Sequence, residues 1–297
     1  MVLNDLLQNI IGGVTIGSTY GLIGLGVVFL WQSINRINFA NISSAMLTSY
    51  LFYTFYTQLH LGFFLSFLAS LVIIAVYGLV LRYVVFEPIN RHGGEKLEFV
   101  VATLMVCILW LSVIKAIYGG LPKPFPPVFG EATSFVQIGA LSVPSVYFWI
   151  FFVVLVLIIA LFFFLRKTMI GKMLRATAQN KEAASLMGIN VNLTTSLAFM
   201  LSTTIVGIAG MLLAPVYFVS LELGGGPIGV KGFASAVMGG LIDPFGAILG
   251  GITIGLIENF SALFISSAYK DIISFVILVV VLLWKPRGIF NWTTKGD

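Results

Sequence analysis

Charge is scarce in this sequence: 9% of its 297 residues are Asp, Glu, Lys or Arg, against about 25% in ordinary soluble domains. So few charges cannot cover a water-facing surface when 59% of the residues are hydrophobic. The apolar surplus faces lipid, and a soluble globular protein is excluded. A single cysteine, Cys107, rules out an intramolecular disulfide. It lies in the apolar run Val101–Leu111 without a neighbouring His or Lys, so it reads as a small buried hydrophobe and not as a reactive thiol. The two histidines, His60 and His92, are far apart in loop-like stretches, which leaves no metal-ligand cluster. There is no Gly-x-Ser-x-Gly, no His-Glu-x-x-His and no catalytic dyad. The expectation is a protein that is not an enzyme, with no metal and no cofactor. Residues 224–231 superficially resemble a phosphate loop, yet Lys231 does not follow the second Gly directly and no Ser or Thr comes after it. Asn-x-Ser/Thr at Asn41, Asn192 and Asn291 is a pattern short enough to arise by chance. No cleavable signal is expected, because Asp5 precedes the first apolar run without a basic segment or a small-residue cleavage site.

What is present is a series of apolar runs. A helix crossing the hydrocarbon core needs roughly 20 apolar residues. Candidate spans are Ile10–Trp31, Ile37–Tyr56, Leu61–Leu81, Phe99–Tyr118, Val146–Leu165, Leu193–Val219 and Phe245–Ile265. Phe233–Ile242 and Ile272–Trp284 are shorter, and Phe233–Ile242 reads either as a short span or as a re-entrant segment. This predicts an all-α, polytopic transmembrane helical bundle of eight or nine membrane helices, forming a single domain over residues 1–297. The net charge of +5 comes mostly from Lys and Arg in short loops, as expected of cytoplasmic loops, and carries no argument for nucleic acid. The segments 82–96 and 166–181 and the tail after Trp284 hold most of it. By contrast, residues 119–145 carry Lys123 and Glu131 among prolines, and residues 222–231 are glycine-rich and almost uncharged. The basic segments are therefore expected inside, the other two outside, and the carboxyl terminus in the cytoplasm. An outside amino terminus then requires an odd number of crossings, which favours nine. The 31 glycines cluster within spans, at Gly13, Gly17 and Gly21 and again at Gly251 and Gly255. Such spacing lets helix backbones approach closely; alternatively, those helices border a path and can unwind.

The loop 166–192 carries five basic residues around a helix-prone core. Asn180 suits an N-cap for a short helix from Lys181, with Glu182 at its positive end, and Gly188 suits its C-terminal stop. A knob this apolar is expected to dock on a partner. The stretch Glu182-Ala183-Ala184-Ser185-Leu186-Met187-Gly188 resembles the EAA-x-x-x-G motif of ABC importer permeases. Residues 171–190 are similar to the block found in high-affinity branched-chain amino acid permeases. Similarity continues at Tyr20–Gly26, Gly207–Pro215, Lys231–Gly251, Ser266–Asp271 and Lys285–Phe290. It departs at Asn41-Ile42, where that family commonly shows His-Gly after Asn-Phe-Ala.

The resemblance implies the permease subunit of a bacterial ABC importer, lodged in the inner (plasma) membrane. It implies branched-chain amino acids as cargo, with urea or short-chain amides as the alternative. It also implies a set of partners: cytoplasmic ATP-binding subunits, a second permease that is identical or homologous, and a periplasmic or extracellular substrate-binding protein. Glu182, Ala183, Ala184 and Gly188 would then be the ATPase-coupling residues.

Ionisable groups at membrane depth are costly unless paired or hydrated. Glu258, deep in the run Phe245–Ile265, is either an ion pair within the bundle or part of the translocation route. Asn35, Asn38 and Asn41, spaced by three, share one helical face if a helix begins there. Asn38 and Asn41 are then either a helix cap and interface anchor or a polar rim to the substrate path. A secondary transporter built around Glu258 is the remaining rival.

Overall fold

The computed structural model describes residues 2–125, 135–138, 141–285 and 288–290. Pro286 and Arg287 of the expected cationic stop lie outside them, as do Glu131, Lys295 and the Asn291 site. The longest helix, α1 (Val2–Ile34), is the axis of the bundle, and nearly all of its apolar stretch is buried. It ends where Asn35 takes a positive φ of 51°. A 3-10 turn, Phe39–Asn41, leads into α2 (Ser43–Tyr53), which runs on through a π-turn to Gln58. Next come α3 (Phe63–Val80), a second π-turn (Leu81–Phe86), α4 (Glu87–Arg91) and α5 (Lys96–Tyr118). A hairpin of β1 (Phe135–Ile138) and β2 (Leu141–Pro144), antiparallel with Phe135 opposite Pro144, precedes α6 (Ser145–Lys167). The remaining helices are α7 (Met169–Gln179), α8 (Lys181–Leu186), α9 (Val191–Tyr217), α10 (Glu222–Gly225), α11 (Pro227–Met238), α12 (Pro244–Phe264) and α13 (Lys270–Trp284).

Packing centres on α1, whose main neighbours are α12, α9 and α11. The α1–α12 contact is backbone against backbone. A Cβ placed on Gly17 would lie 2.7 Å from the Gly251 carbonyl oxygen, and one on Gly21 would lie 2.8 Å from Ile248 Cα. Without a strong hydrophobic force between helices in lipid, such close approach is what holds them together. The tight-packing reading of the glycine clusters is the one observed.

Among the described residues, six helices are long and apolar enough to cross a membrane: Leu6–Ile34, Phe63–Arg91, Lys96–Tyr118, Ser145–Lys167, Val191–Tyr217 and Pro244–Phe264. The other three expected spans correspond to α2, α11 and α13, of 11, 12 and 15 residues. At 1.5 Å per residue even α13 rises only about 22 Å, short of a hydrocarbon core of roughly 30 Å. Two of them, α2 and α11, are enclosed by neighbouring helices, the setting in which interrupted helices are tolerated at membrane depth.

Three expectations are corrected. The span expected at Phe233–Ile242 lies earlier, because Pro227 starts the helix at its first position and residues 239–243 form the turn, with φ of 83° at Gly240. Residues 222–231 are consequently not an outer loop but α10 and the first turns of α11, with Lys231 only 1% exposed. Asn35, Asn38 and Asn41 do not share a helical face, because the chain leaves α1 at Asn35 and regains an α-helix only at Ser43.

Candidate functional site

Five helices bring charged or phenolic groups together around Glu258. Its carboxylate sits on α12 and is 2% exposed. Lys231 Nζ, from α11, lies 2.9 Å from Oε2, and Lys270 Nζ, at the start of α13, lies 3.1 Å from Oε1. The Tyr20 hydroxyl of α1 donates to Oε2 at 3.0 Å, and that of Tyr217, at the end of α9, donates to Oε1 at 3.2 Å. Each carboxylate oxygen thus meets two donors, which fills the acceptor capacity of the group. Lys231 also reaches Asp271 Oδ1 at 2.5 Å. Two ammonium groups and two carboxylates sum to a formal charge of zero. Lys231 and Glu258 are sealed from solvent, whereas Lys270 and Asp271 are each about one-third exposed on the open side of the cluster. Of the two readings of Glu258, the geometry is that of an ion pair within the bundle.

Asn38 and Asn41 lie elsewhere. Asn38 caps the 3-10 turn by accepting from the Asn41 N–H at 3.2 Å. Asn41 is wholly buried and its Nδ2 donates to Ser202 Oγ at 2.8 Å. That hydroxyl donates in turn to the Gly26 carbonyl of α1 at 2.5 Å. Asn41 Oδ1 is buried with no hydrogen-bond partner in the structure. Gly26 is six residues, about 9 Å of helix rise, beyond Tyr20, so the asparagines and Glu258 occupy different levels of α1. Both asparagines are interior groups, 4% and 0% exposed.

The segment after α6 is built from caps. Thr168 accepts from the Gly171 N–H at 3.0 Å to start α7, Asn180 from Ala183 N–H at 3.0 Å to start α8, and Asn190 from Leu193 N–H at 3.0 Å to start α9. The stop of α8 is a Schellman turn. Gly188, at φ 81°, donates to the Ser185 carbonyl at 3.0 Å, and Ile189 donates to that of Ala184, also at 3.0 Å. Glu182 stands in the first turn, Ala183 is exposed and Ala184 faces inward. Leu186 and Met187 form the tip and are 89% and 82% exposed. Arg82, in the second π-turn, is buried and not a loop charge. Its guanidinium donates to the Asn192 carbonyl at 2.5 Å and contacts Ser196 Oγ, tying the second π-turn to the first turn of α9.

Sequence reasoning missed Lys231, Lys270, Asp271, Tyr20 and Tyr217 as members of one site. A signal existed in the charges: α11 to α13 carry few ionisable residues, of both signs, and Glu258 needed a partner.

Apolar helices of spanning length, packed around a buried and neutral charge cluster, define a polytopic helical membrane protein. A family model, described as the permease component of the branched-chain amino acid transport system, matches residues 9–282. The chain belongs to that family. The high-affinity branched-chain amino acid transport system permease protein LivH of Escherichia coli K12 is 30% identical over 299 residues, covering 96% of this chain and 95% of the relative. BraD of Pseudomonas aeruginosa, described in the same words, is 30% identical over 301 residues, covering 96% and 95%. A probable LivH of Methanocaldococcus jannaschii is 30% identical over 305 residues, covering 97% and 94%. No solved structure matches the chain.

Proposed function

We propose that this chain is the membrane-spanning subunit of an ABC importer that carries branched-chain amino acids inward, driven by ATP hydrolysed on a separate subunit. The observation that carries the coupling is the tip of α8. Leu186 and Met187 are held in water by a capped helix and a Schellman turn, an arrangement that leaves apolar area to be covered by a partner. The partner is the cytoplasmic ATP-binding subunit, and Glu182, Ala183, Ala184 and Gly188 shape the knob it grips. Closure of two such subunits on ATP would draw two knobs together, one from this chain and one from a second permease, and rock both bundles. Arg82 would pass that displacement to α3. A substrate-binding protein delivers cargo at the opposite face, and the carboxyl terminus lies in the cytoplasm beside the basic loops. Crossing nine times requires α2, α11 and α13 to traverse together with the six longer helices.

The buried asparagine pair, Asn38 and Asn41, borders the route in this reading, while Glu258 braces its wall. The pairing of Glu258 weakens the rival secondary transporter, which needs an acid free to take up an ion. A second cargo, urea or a short-chain amide, rests on Asn41 and its unpartnered Oδ1, which stand where the family commonly shows His-Gly.

The test is ATP-driven uptake of labelled leucine and labelled urea by the whole complex in proteoliposomes. Met187→Asp and Glu182→Lys are expected to abolish uptake while the chain still inserts and keeps its melting temperature. Uptake that survives both substitutions, or that persists without ATP, overturns the coupling reading. The label that enters decides the cargo.

A further inference from the structure

α6 packs most deeply in its amino-terminal half, where Ile150 and Val154 are buried and Tyr147 approaches Gly12 of α1. Toward its other end, Leu161 and Leu165 still meet the core and Phe162 meets Phe245 of α12, and between α1, α6, α7, α9 and α12 lies a cavity of about 590 Å3. That lies within the roughly 300–1,000 Å3 typical of small-ligand sites. Its walls are apolar, among them Leu25, Phe29, Leu161, Leu201 and Ile248. The rim is polar and cationic, with Arg166 from the last turn of α6, Arg175 from α7, and Gln32 and Gln179 beside them. Arg166 lies 4.4 Å over the Phe162 ring, which holds the guanidinium at the mouth. Neither arginine has an acidic partner among the described residues. Asp243, the acidic residue of the lining, has its Oδ1 engaged by the Phe245 N–H at 2.9 Å, and two arginines against this one carboxylate leave the lining a net positive charge.

We propose that this cavity is a binding site for an anionic phospholipid, with an acyl chain between α6 and the bundle and the phosphate between Arg166 and Arg175. Three observations converge on a lipid. The outward face of α6 is strongly apolar and exposed, with Phe152, Ile159 and Phe163 between 46% and 58% exposed, so hydrocarbon is the medium from which the cavity fills. The cations sit at the end of a spanning helix, the level of a headgroup. Basic pockets between membrane helices on the side of the basic loops are suited to anionic lipid heads, and guanidinium groups match phosphate geometry with paired hydrogen bonds. A lipid bound there bridges α6 and α7, and α7 leads through Asn180 directly into α8. Occupancy therefore stiffens the base of the knob, whatever cargo the protein carries.

The experiment uses the purified full chain, delipidated in a neutral detergent, with bound lipid counted by native mass spectrometry and melting followed in parallel. Cardiolipin and long-chain phosphatidylglycerol are expected to bind and raise the melting temperature, and phosphatidylcholine is not. The double variant Arg166→Gln/Arg175→Gln is expected to lose at least tenfold in affinity for the anionic lipids. Lys167→Gln/Lys172→Gln removes the same charge outside the cavity lining and is expected to bind as the parent does. Dihexanoyl phosphatidylglycerol and inorganic phosphate are expected to bind far more weakly than the long-chain lipid, which separates a chain-and-head site from an anion site. Equal losses in the two double variants would reduce the effect to diffuse surface charge and overturn the site. So would crosslinks from Leu161 or Leu165 to another polypeptide in the assembled complex, which would give the cavity a protein occupant.

Discussion

Lys231 and Glu258 sit on neighbouring helices with almost no access to water, and each is the other's nearest opposite charge at full burial. Removing one member of a buried pair typically costs about 3–5 kcal/mol, because the survivor is left uncompensated, whereas replacing both by apolar groups is often neutral. Glu258→Leu leaves Lys231 to Asp271 and strands Lys270; Lys231→Met leaves Glu258 with Lys270 and two tyrosines. Both single variants are expected to melt well below the parent in detergent, Glu258→Leu the lower of the two. The double variant is expected to recover much of the loss, since Lys270 and Asp271 still balance. A double variant that loses the sum of the two single losses would show that the pair does not interact. The acid itself was legible, as an ionisable residue in an apolar run. Its partners were not. Lys231 stands among glycines that read as a loop, and only the helix begun by Pro227 turns it inward.

At the level of elements, the α1–α12 seam and the α8 knob differ in what specifies them. The knob is local: Asn180, Gly188 and the residues they cap are within ten positions of one another, so its start, stop and exposed tip follow from the chain in order. The seam is not local, and glycine spacing foretells close approach without naming the partner helix. Its geometry makes a sharp demand. Alanine at Gly17 would place a methyl carbon 2.7 Å from the Gly251 oxygen and from Ile252 Cα, both backbone atoms that cannot rotate aside. Gly17→Ala is expected to cost about 1–3 kcal/mol as overpacking. Gly62→Ala, with no atom within 4 Å of the added carbon, is expected to be near neutral. Thermal melting of the two variants in the same detergent checks the contrast, and equal melting would mean that α1 and α12 separate easily. The hairpin before α6 was hard to read, because its four-residue strands lie at the lower limit of what alternation can mark.

For the molecule as a whole, burial divides the helices into an inner set, α1, α9, α2 and α11, and an outer set, α3, α5, α6 and α13, that presents apolar side chains outward. The six long helices were legible from hydropathy because each holds a long apolar run, turned outward in α3, α5 and α6 and buried against other helices in α1 and α9. The inner short ones were misplaced or overextended because enclosure, and not length, satisfies their backbones. The Glu258 cluster, built from α1, α9, α11, α12 and α13, is electrically neutral. Moving one unit charge across a full membrane potential of 100 mV involves about 2.3 kcal/mol, roughly a fifty-fold change in a rate that depends on it. Two cations and two anions that shift as a body do no such work. The proposed cargo, a neutral zwitterion, would add none. Uptake by the assembled complex is therefore expected to change less than about twofold when a potassium diffusion potential is imposed with valinomycin. A steep voltage dependence would mean that one of these charges parts from its partner during the cycle. In the proposed importer, electroneutral pairing would leave transport indifferent to the membrane's electric field, and its direction would fall to the proposed ATP-hydrolysing partner.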